Sequence, residues 1–224
     1  MSTVISVLNN KKPKTILDAP SGGGWLLSSL SFETTIDGID LFEQKLSSYR
    51  NCIQADLDFG IPDSLLKYDA IVSCEGIEHF GNPILFFNTA KKHLNQGGVI
   101  IITTPNTWYP AAKIQYLLRG FFPSFPCLVG KMHRGTHMHI TPWSFPQLYL
   151  YLSLAGYTDI KLHDTSDKKP NHFFEYIFGF PQKMYCYDKL KKAKSSEEKN
   201  FWKMSGSSQS VFGRRLIVSA SSNN

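Results

Sequence analysis

The segment Thr15–Gly24 constrains the fold more than any other stretch of the chain. Two apolar residues, Ile16 and Leu17, lead into Asp18, and the small residues that follow end in three consecutive glycines before the apolar run that begins at Trp25. Glycine lets the backbone come close to a ligand, because it has no Cβ to collide. The pattern therefore predicts a strand, a glycine-rich turn and a helix, a unit that holds a nucleotide-like ligand at the end of a first parallel strand.

The acid before this turn restricts the kind of ligand. A turn built for pyrophosphate would avoid a carboxylate, because a helix N-terminus attracts phosphate. The glycine pattern of a dehydrogenase is also incomplete at Leu27. A carboxylate at Asp18 instead suits a ligand with a cationic end, such as S-adenosylmethionine. The order Asp-x-x-x-Gly-x-Gly resembles the first motif of the class I S-adenosylmethionine-dependent methyltransferases, although Ala19-Pro20 stands where that family usually has Leu-Gly.

Further acids follow at the expected intervals. Asp40 ends a predicted second strand 22 residues after Asp18, close to the spacing at which a carboxylate accepts hydrogen bonds from ribose hydroxyls. Asp56 follows a predicted third strand, and the resemblance implies that it faces the adenine amine. The strand-end pattern and the family resemblance together imply a set of cofactor-binding residues. These are Asp18, Pro20, Gly22, Gly24, Asp40, Leu41, Asp56, Leu57, Ser73 and Cys74.

Strands and helices alternate along the first half of the chain. Continuous apolar runs predict buried strands over Tyr68–Cys74 and Gly97–Pro105. An amphipathic helix over Pro83–Leu94 precedes the second run and is predicted to close at Gly97-Gly98. This alternation favours a parallel sheet with helices on both faces.

The second half predicts one more helix and two more strands. Thr141 is the predicted N-cap and Pro142 the first residue of a helix that runs to Gly156. Strands are predicted over Tyr157–His163 and Arg214–Ala220. This ending resembles that of the methyltransferases, whose last strand is antiparallel. We therefore expect a single α/β domain over 1–224 with a Rossmann-like class I methyltransferase fold, a seven-stranded and mostly parallel sheet, and an aromatic-rich insertion.

Two segments do not fit the strand–helix alternation. Residues 106–140 are rich in aromatics, prolines and glycines, and we expect them to form a substrate cap that includes a helix near Ala111–Leu118. Residues 164–210 are too long for a hairpin connection and form a predicted insertion. That insertion is expected to cover the substrate, form a dimer interface or rest on a membrane surface. The tail from Ser219 is predicted to fray.

Composition limits the compartment and the partners. The chain has no apolar run of the ~18 residues that span a bilayer, and its first residues lack a signal-peptide pattern. Its four cysteines show no metal-binding spacing, so we expect reduced thiols in a cytoplasmic protein. The net charge is +6, with lysines concentrated over Lys183–Lys203. That excess favours a solvated helix face, with an anionic partner as the alternative.

The turn after the fourth strand is the first candidate for chemistry. If it entered a helix, Glu75 and Glu78 would share one face, three residues apart, with His79 beside them. Two carboxylates and an imidazole form a partial site for a divalent cation. The same residues are also typical of a helix cap or of a turn that orients the substrate.

A second cluster, which contains His133, His137 and His139, precedes Trp143. Together with the Glu-x-x-Glu-His turn it resembles the ubiquinone-biosynthesis O-methyltransferases and the small-RNA 3′-terminal 2′-O-methyltransferases, which hold a divalent metal at the substrate hydroxyl. By that resemblance His139 best fits the fourth ligand position, and His137 competes for it. The implied metal ligands are Glu75, Glu78, His79 and His139, and the implied catalytic residues are Glu78, His79 and His139.

The expected function is O-methylation with S-adenosylmethionine as cosubstrate, and Mg²⁺ or another divalent cation is the candidate metal. The overall similarity to bacterial sugar, glycan and polyketide-type methyltransferases makes a sugar or related small-molecule hydroxyl the first choice of acceptor. A quinone or phenol and an RNA 3′ end are the alternatives, although no RNA-binding module is appended. A non-catalytic cofactor-binding subunit is less consistent with intact Asp18, Gly22, Gly24 and Asp40. A lipid-linked acceptor would bring Phe173–Tyr187 to a membrane interface.

Overall fold

Seven strands form one sheet in the computed structural model, which describes residues 1–123, 130, 138–168, 170 and 172–222. The strands are β1 (Thr15–Asp18), β2 (Thr35–Asp40), β3 (Asn51–Gln54), β4 (Tyr68–Cys74), β5 (Leu94–Pro105), β6 (Thr158–Leu162) and β7 (Arg215–Ser221). The helices are α1 (Ser2–Lys11), α2 (Trp25–Ser29), α3 (Pro83–Lys92), α4 (Pro110–Arg119), α5 (Phe145–Leu154), α6 (Phe173–Lys192), α7 (Ser196–Ser205) and α8 (Ser208–Phe212). Two 3₁₀ turns cover Leu57–Phe59 and Ile77–His79.

The strand order is β3-β2-β1-β4-β5-β7-β6. All strand pairs are parallel except those of β7, which is antiparallel to both β5 and β6. The predicted mostly parallel sheet with an antiparallel last strand is therefore confirmed. The order reverses between β1 and β4, and ligands of such sheets bind beyond the carboxyl ends of the strands at that switch point.

Alternating side chains of the strands build two cores, one on each face of the sheet. On one face, Leu17 and Ile102 pack with residues of α3 and α5. On the other face, Ile16 and Ile101 pack with residues of α1 and α2. We call these the α5 face and the α1 face. Because strand side chains alternate, neighbouring residues at the end of β5 point to opposite faces.

The predicted start of α5 is wrong by a few residues. Ser144, not Thr141, is the N-cap, and its hydroxyl accepts a hydrogen bond from the N–H of Gln147. Thr141 instead donates its hydroxyl to the carbonyl of Phe80 at 2.8 Å. The hydroxyl that the local pattern assigns to the helix cap is therefore used in a long-range contact with Phe80.

Gly97 and Gly98 do not close α3. The helix ends at Lys92, and both glycines lie within β5. A Cβ on Gly98 would lie 2.8 Å from the carbonyl oxygen of Asn95, so this position needs glycine for close packing rather than for a helix end.

The expected fraying of the tail is wrong as far as Ser222. Residues 219–221 belong to β7, and Ser222 is buried, with its N–H donating to the carbonyl of Gly98 at 2.9 Å. The antiparallel pairing with β5 explains this order, since it supplies the backbone with hydrogen bonds on an inner strand of the sheet.

The long connection between β6 and β7 is helical and contains α6, α7 and α8. The bounds 164–210 for the insertion and 106–140 for the cap remain predictions. Among the described helices, none combines the length and the apolar content that crossing a membrane requires.

Candidate active site

The glycine-rich turn joins two of the predicted cofactor acids. Gly22 and Gly24 have positive φ angles of 48° and 69°, a conformation that glycine adopts without a steric penalty. The N–H of Gly22 donates to a carboxylate oxygen of Asp40 at 3.0 Å. The turn after β1 is thereby tied to the end of β2, as a pocket shared by both strands requires.

Asp18 is buried at the end of β1. Its Oδ2 accepts a hydrogen bond of 2.6 Å from the hydroxyl of Tyr49, while Oδ1 has no hydrogen-bond partner among the described residues. Burial raises the pKa of Asp18 to about 7, and the nearby charge of Asp40 adds to this rise against the hydrogen bond from Tyr49. A ligand cation beside Asp18 would favour its charged form. Sequence reasoning missed Tyr49, which lies in a loop without a motif.

Asp40 is held by backbone donors on both sides. Besides Gly22, the N–H of Phe42 donates to its Oδ1 at 3.1 Å. Each carboxylate oxygen has a second lone pair, so this geometry leaves acceptors for ribose hydroxyls, the role that the sequence predicts.

An open cleft of about 430 Å³ lies beside the ends of β2 and β3. Leu41 and Asp56, both predicted cofactor residues, line it together with Phe42, Gln54 and Ala55. Leu57 does not line this cleft, since its side chain packs into the core on the α5 face. Two of the three predicted residues of this region therefore surround a space that suits the adenosine end of the cofactor.

The end of β4 packs against the glycine-rich turn. A Cβ on Gly76 would lie 2.3 Å from the ring of Pro20 and 3.2 Å from the hydroxyl of Ser73. Cys74 is half-buried, and burial followed by the charge of Asp18 raises the pKa of its thiol to about 12. The thiol is therefore mostly protonated near neutral pH, whereas the strong nucleophile is the thiolate. The described cysteines Cys52, Cys74 and Cys186 are all free.

The two acids after β4 lie on opposite sides of the sheet edge. Glu75 accepts a hydrogen bond of 2.8 Å from Thr103, and Glu78 accepts one of 2.9 Å from Thr104. These two threonines are consecutive on β5, so their side chains point to the α1 face and the α5 face respectively. The prediction that Glu75 and Glu78 share a helix face is therefore wrong, because a 3₁₀ turn and a left-handed Glu75 (φ 50°) replace the helix.

Glu75 forms an ion pair with Arg215 on the α1 face. Its Oε1 lies 3.2 Å from Nε of Arg215, the first residue of β7. The pair lines a cleft of about 340 Å³ together with Arg214, Asp167 and residues of α1. Sequence reasoning assigned no role to Arg214 and Arg215, and only the antiparallel entry of β7 brings them here.

Glu78, His79 and His139 come together on the other side. One potential ligand atom from each residue lies within 4.8 Å of those of the other two. The rings of His79 and His139 are 5.0 Å apart and nearly perpendicular. Glu75 is not part of this group, so the structure brings together three of the four implied metal ligands. His133 and His137, the competing choice, lie outside the described residues.

Backbone hydrogen bonds hold His139 over the 3₁₀ turn. The carbonyl of Glu78 accepts from the N–H groups of Ile140 and Thr141, at 2.8 and 3.0 Å. The indole N–H of Trp143 donates to the carbonyl of Ile77 at 3.2 Å. Since these residues flank His139 and His79, the contacts set the distance between the two imidazoles.

The protonation of the cluster follows from its partners. Nδ1 of His79 lies 2.6 Å from the carbonyl of Met138. A carbonyl only accepts, so in the neutral imidazole Nδ1 carries the proton and Nε2 keeps its lone pair. Burial raises the pKa of Glu78 to about 7, and the charge of Glu75 adds to this rise, while Thr104 and Arg215 oppose it. One carboxylate and two imidazoles are a donor set that borderline divalent cations accept.

An aromatic cleft of about 400 Å³ continues from this segment. Pro142 and Ser144, shortly after His139, form one side. Trp108, Tyr116 and Phe122 from the predicted cap form another, with the rings of Tyr116 and Phe122 stacked 4.3 Å apart. An acceptor with a flat ring fits such walls.

Known proteins show the same domain. The family model described as a methyltransferase domain matches residues 2–162. The ubiquinone biosynthesis O-methyltransferase of Hydrogenovibrio crunogenus is 30% identical over 138 residues, which is 56% of this chain and 54% of that protein. The enzyme of the same name from Rickettsia akari is 27% identical over 133 residues, with 54% and 50% covered. The chain thus spans about half the length of these relatives.

Solved structures with low identity share the fold. A putative methyltransferase from Bacillus halodurans C-125 aligns with a TM-score of 0.57 and 16% identity, over 100% of this chain and 98% of that one. A S-adenosylmethionine-dependent methyltransferase from Archaeoglobus fulgidus gives a TM-score of 0.55 and 16% identity, over 98% and 93%. With the family model covering most of the chain, the protein belongs to the class I S-adenosylmethionine-dependent methyltransferases.

Proposed function

We propose that this protein is an O-methyltransferase in which Glu78, His79 and His139 activate the acceptor hydroxyl with the help of a divalent cation. The observation that carries the proposal is the convergence of these three side chains within 4.8 Å. They come from two segments about 60 residues apart, beside the end of β4 where the class I fold presents its cofactor. A helix cap would not need the two histidines.

The cofactor would lie across the ends of β1, β2 and β4. In this proposal Asp40 accepts from the ribose hydroxyls, the cleft between Leu41 and Asp56 takes the adenine, and Asp18 faces the cationic methionine end. The hydrogen bond of 3.0 Å that the N–H of Gly22 donates to the Asp40 carboxylate supports one continuous pocket.

Methyl transfer is an in-line displacement, in which the acceptor oxygen attacks the methyl carbon and the sulfonium leaves as a neutral thioether. The reacting atoms must be aligned and about 3 Å apart, so the walls of the pocket matter as much as any acid or base. An alcohol also has to lose its proton during attack. A divalent cation, when bound, would lower the pKa of the hydroxyl. With the cation bound, His79 and His139 would hold it and the hydroxyl proton would pass to solvent; without a cation, an imidazole with a free lone pair would take up that proton.

The donor set fits such a cation. Three protein ligands leave coordination positions open for substrate. The carbonyl of Met138 holds His79 through Nδ1 at 2.6 Å, the outer contact that orients histidine ligands elsewhere. Mg²⁺ prefers oxygen donors, whereas two imidazoles favour a softer ion such as Mn²⁺ or Zn²⁺.

For the acceptor, two observations favour an aromatic hydroxyl over the sugar expected from the sequence. The aromatic cleft presents Trp108 and the stacked Tyr116–Phe122 pair. The two relatives named above are ubiquinone biosynthesis O-methyltransferases. A catechol would place one hydroxyl at the cluster while its ring lies between the aromatic walls.

Calorimetry on chelator-treated protein tests the proposal. S-adenosylhomocysteine and then Mg²⁺, Mn²⁺ or Zn²⁺ are titrated in turn. Separate isotherms for nucleoside and metal are expected, and Glu78→Gln should remove only the metal isotherm. Glu75→Gln is the matched control, because Glu75 lies on the other side of the sheet edge. Equal loss in both variants contradicts the assignment, and nucleoside binding without any metal binding leaves a histidine base alone. Turnover assays with catechols and with sugars then decide the acceptor class.

A further inference from the structure

The helix α6 is apolar on a face that no described residue covers. Five of its residues recur at spacings of three and four, which places them on one stripe of a helix. This outer face consists of Phe173, Ile177, Phe180, Met184 and Tyr187, each about half exposed or more. An apolar stripe of this kind normally packs against another element.

The opposite face of α6 is already packed. Glu175, Gly179 and Cys186 are its buried residues. A Cβ on Gly179 would lie 2.2 Å from the ring of Phe212 on α8, and Glu175 pairs with Arg214 at 2.7 Å. These contacts fix the rotation of the helix, so the outer face cannot turn inward.

Lysines surround the second half of the same helix. Lys183, Lys189, Lys191 and Lys192 belong to it, and Lys194 follows. The ammonium of Lys191 lies 4.3 Å from the ring centre of Tyr187, and that of Lys189 lies 5.4 Å from that of Tyr185. Aromatic rings beside long cationic side chains are typical of helices that lie in the interface of a bilayer.

We propose that the outer face of α6 binds the surface of an anionic lipid bilayer, with the helix lying in the plane of the membrane. The charges favour lipid over a second copy of this chain. Both acids of α6 already form ion pairs, since Glu175 is buried against Arg214 and Asp188 pairs with Lys192 at 2.7 Å. An identical face therefore offers no free carboxylate to the lysines, whereas lipid phosphates do.

The position of the helix connects this surface to the aromatic cleft. On α4, Lys113 donates to Gln182 of α6 at 2.6 Å, and Tyr116 of α4 lines the cleft. A protein bound through α6 would hold this cleft near the bilayer surface. The proposal concerns binding alone, so it stands or falls independently of the methyl transfer proposed above.

Flotation of the full chain with vesicles tests the proposal. Vesicles of phosphatidylcholine are compared with vesicles that also contain phosphatidylglycerol. Binding should be about tenfold or more tighter to the anionic vesicles and should weaken as salt is raised. The pair Ile177→Ser and Phe180→Ser should lower that affinity by about tenfold or more, because it removes apolar area from the interface.

A matched pair of substitutions controls for lost apolar surface in general. Leu66→Ser and Leu154→Ser change side chains that are 63% and 69% exposed, against 58% and 61% for Ile177 and Phe180, on other parts of the molecule. This control should bind vesicles as the wild type does. Absence of vesicle binding, or equal loss in both pairs, overturns the proposal. So does a wild-type dimer in sedimentation that only the α6 pair dissociates, since that result assigns the face to a second copy.

Discussion

The cofactor side and the acceptor side of the candidate active site are built in different ways. On the cofactor side, Asp18, Gly22 and Asp40 belong to one continuous strand–turn–helix–strand stretch, and the N–H of Gly22 contacts the Asp40 carboxylate directly. On the acceptor side, His139 meets His79 only because residues 138–143 return to the 3₁₀ turn from about 60 positions away. The first arrangement follows from local chain geometry, whereas the second depends on tertiary contacts.

The largest effect should come from the acceptor side. Glu78→Gln removes the carboxylate of the three-residue cluster, and we expect turnover to fall by about 10²–10⁴-fold. Affinity for S-adenosylhomocysteine should change little, because Glu78 lies outside the predicted cofactor pocket. Turnover is measured by single-turnover kinetics and affinity by calorimetry. Retained turnover would falsify the catalytic role of this turn.

The buried acid of the cofactor side should make stability depend on pH. The pKa of Asp18 is raised to about 7 in the folded protein, against an unfolded value near 4. The folded state therefore holds the proton more tightly, and the stability that this provides is present below pH 4 and is lost as the pH rises toward 7.

Asp18→Asn is the test of that linkage, since asparagine stays neutral. Between pH 4 and pH 8 the cofactor-free wild type should lose about 3 kcal/mol of unfolding free energy relative to this variant. Urea denaturation at several pH values measures the difference. A parallel pH dependence in both proteins would show that another group is responsible.

On the same side, Asp40→Ala should weaken cofactor binding. The loss of a charged hydrogen-bond acceptor corresponds to about 1.5–3 kcal/mol, or roughly 10- to 150-fold in affinity. Asp159→Ala, which removes an exposed carboxylate paired with Lys161, is the control. If calorimetry finds the affinity of Asp40→Ala unchanged, Asp40 serves only to hold the turn through Gly22.

These two sides also explain how far the sequence could predict the structure. The first two strands, the glycine-rich turn and both acids, Asp18 and Asp40, follow from patterns within about 25 residues, and the structure contains them. The hydrogen-bond partner of Asp18 cannot be predicted in this way, because Tyr49 lies 31 residues away in a loop without any periodic pattern. Spacing and the family resemblance both group Glu75 with Glu78, whereas Thr103 and Thr104 of β5 hold the two carboxylates on opposite faces of the sheet.

The same reasoning explains the error at Thr141. Its residue type and the following proline are typical of a helix start, and nothing local contradicts that interpretation. The carbonyls of Phe80 and Glu78 nevertheless take its hydroxyl and its N–H, so the cap moves to Ser144. Local patterns therefore predict best where a unit makes its backbone hydrogen bonds internally. They fail where a distant segment supplies the hydrogen-bond partner.

The smallest predicted effect tests whether such a distant contact sets the geometry of the acceptor side. Trp143→Phe removes the donor to the buried carbonyl of Ile77, 66 residues away, and we expect a loss of about 1–2 kcal/mol in unfolding free energy. Metal affinity should also fall severalfold, because His139 is held by the same segment, while nucleoside affinity stays unchanged. Trp202→Phe on α7 shortens a half-buried indole elsewhere and controls for lost ring volume. If Trp143→Phe lowers stability but leaves metal affinity intact, the backbone bonds from Ile140 and Thr141 to Glu78 alone are sufficient to place His139.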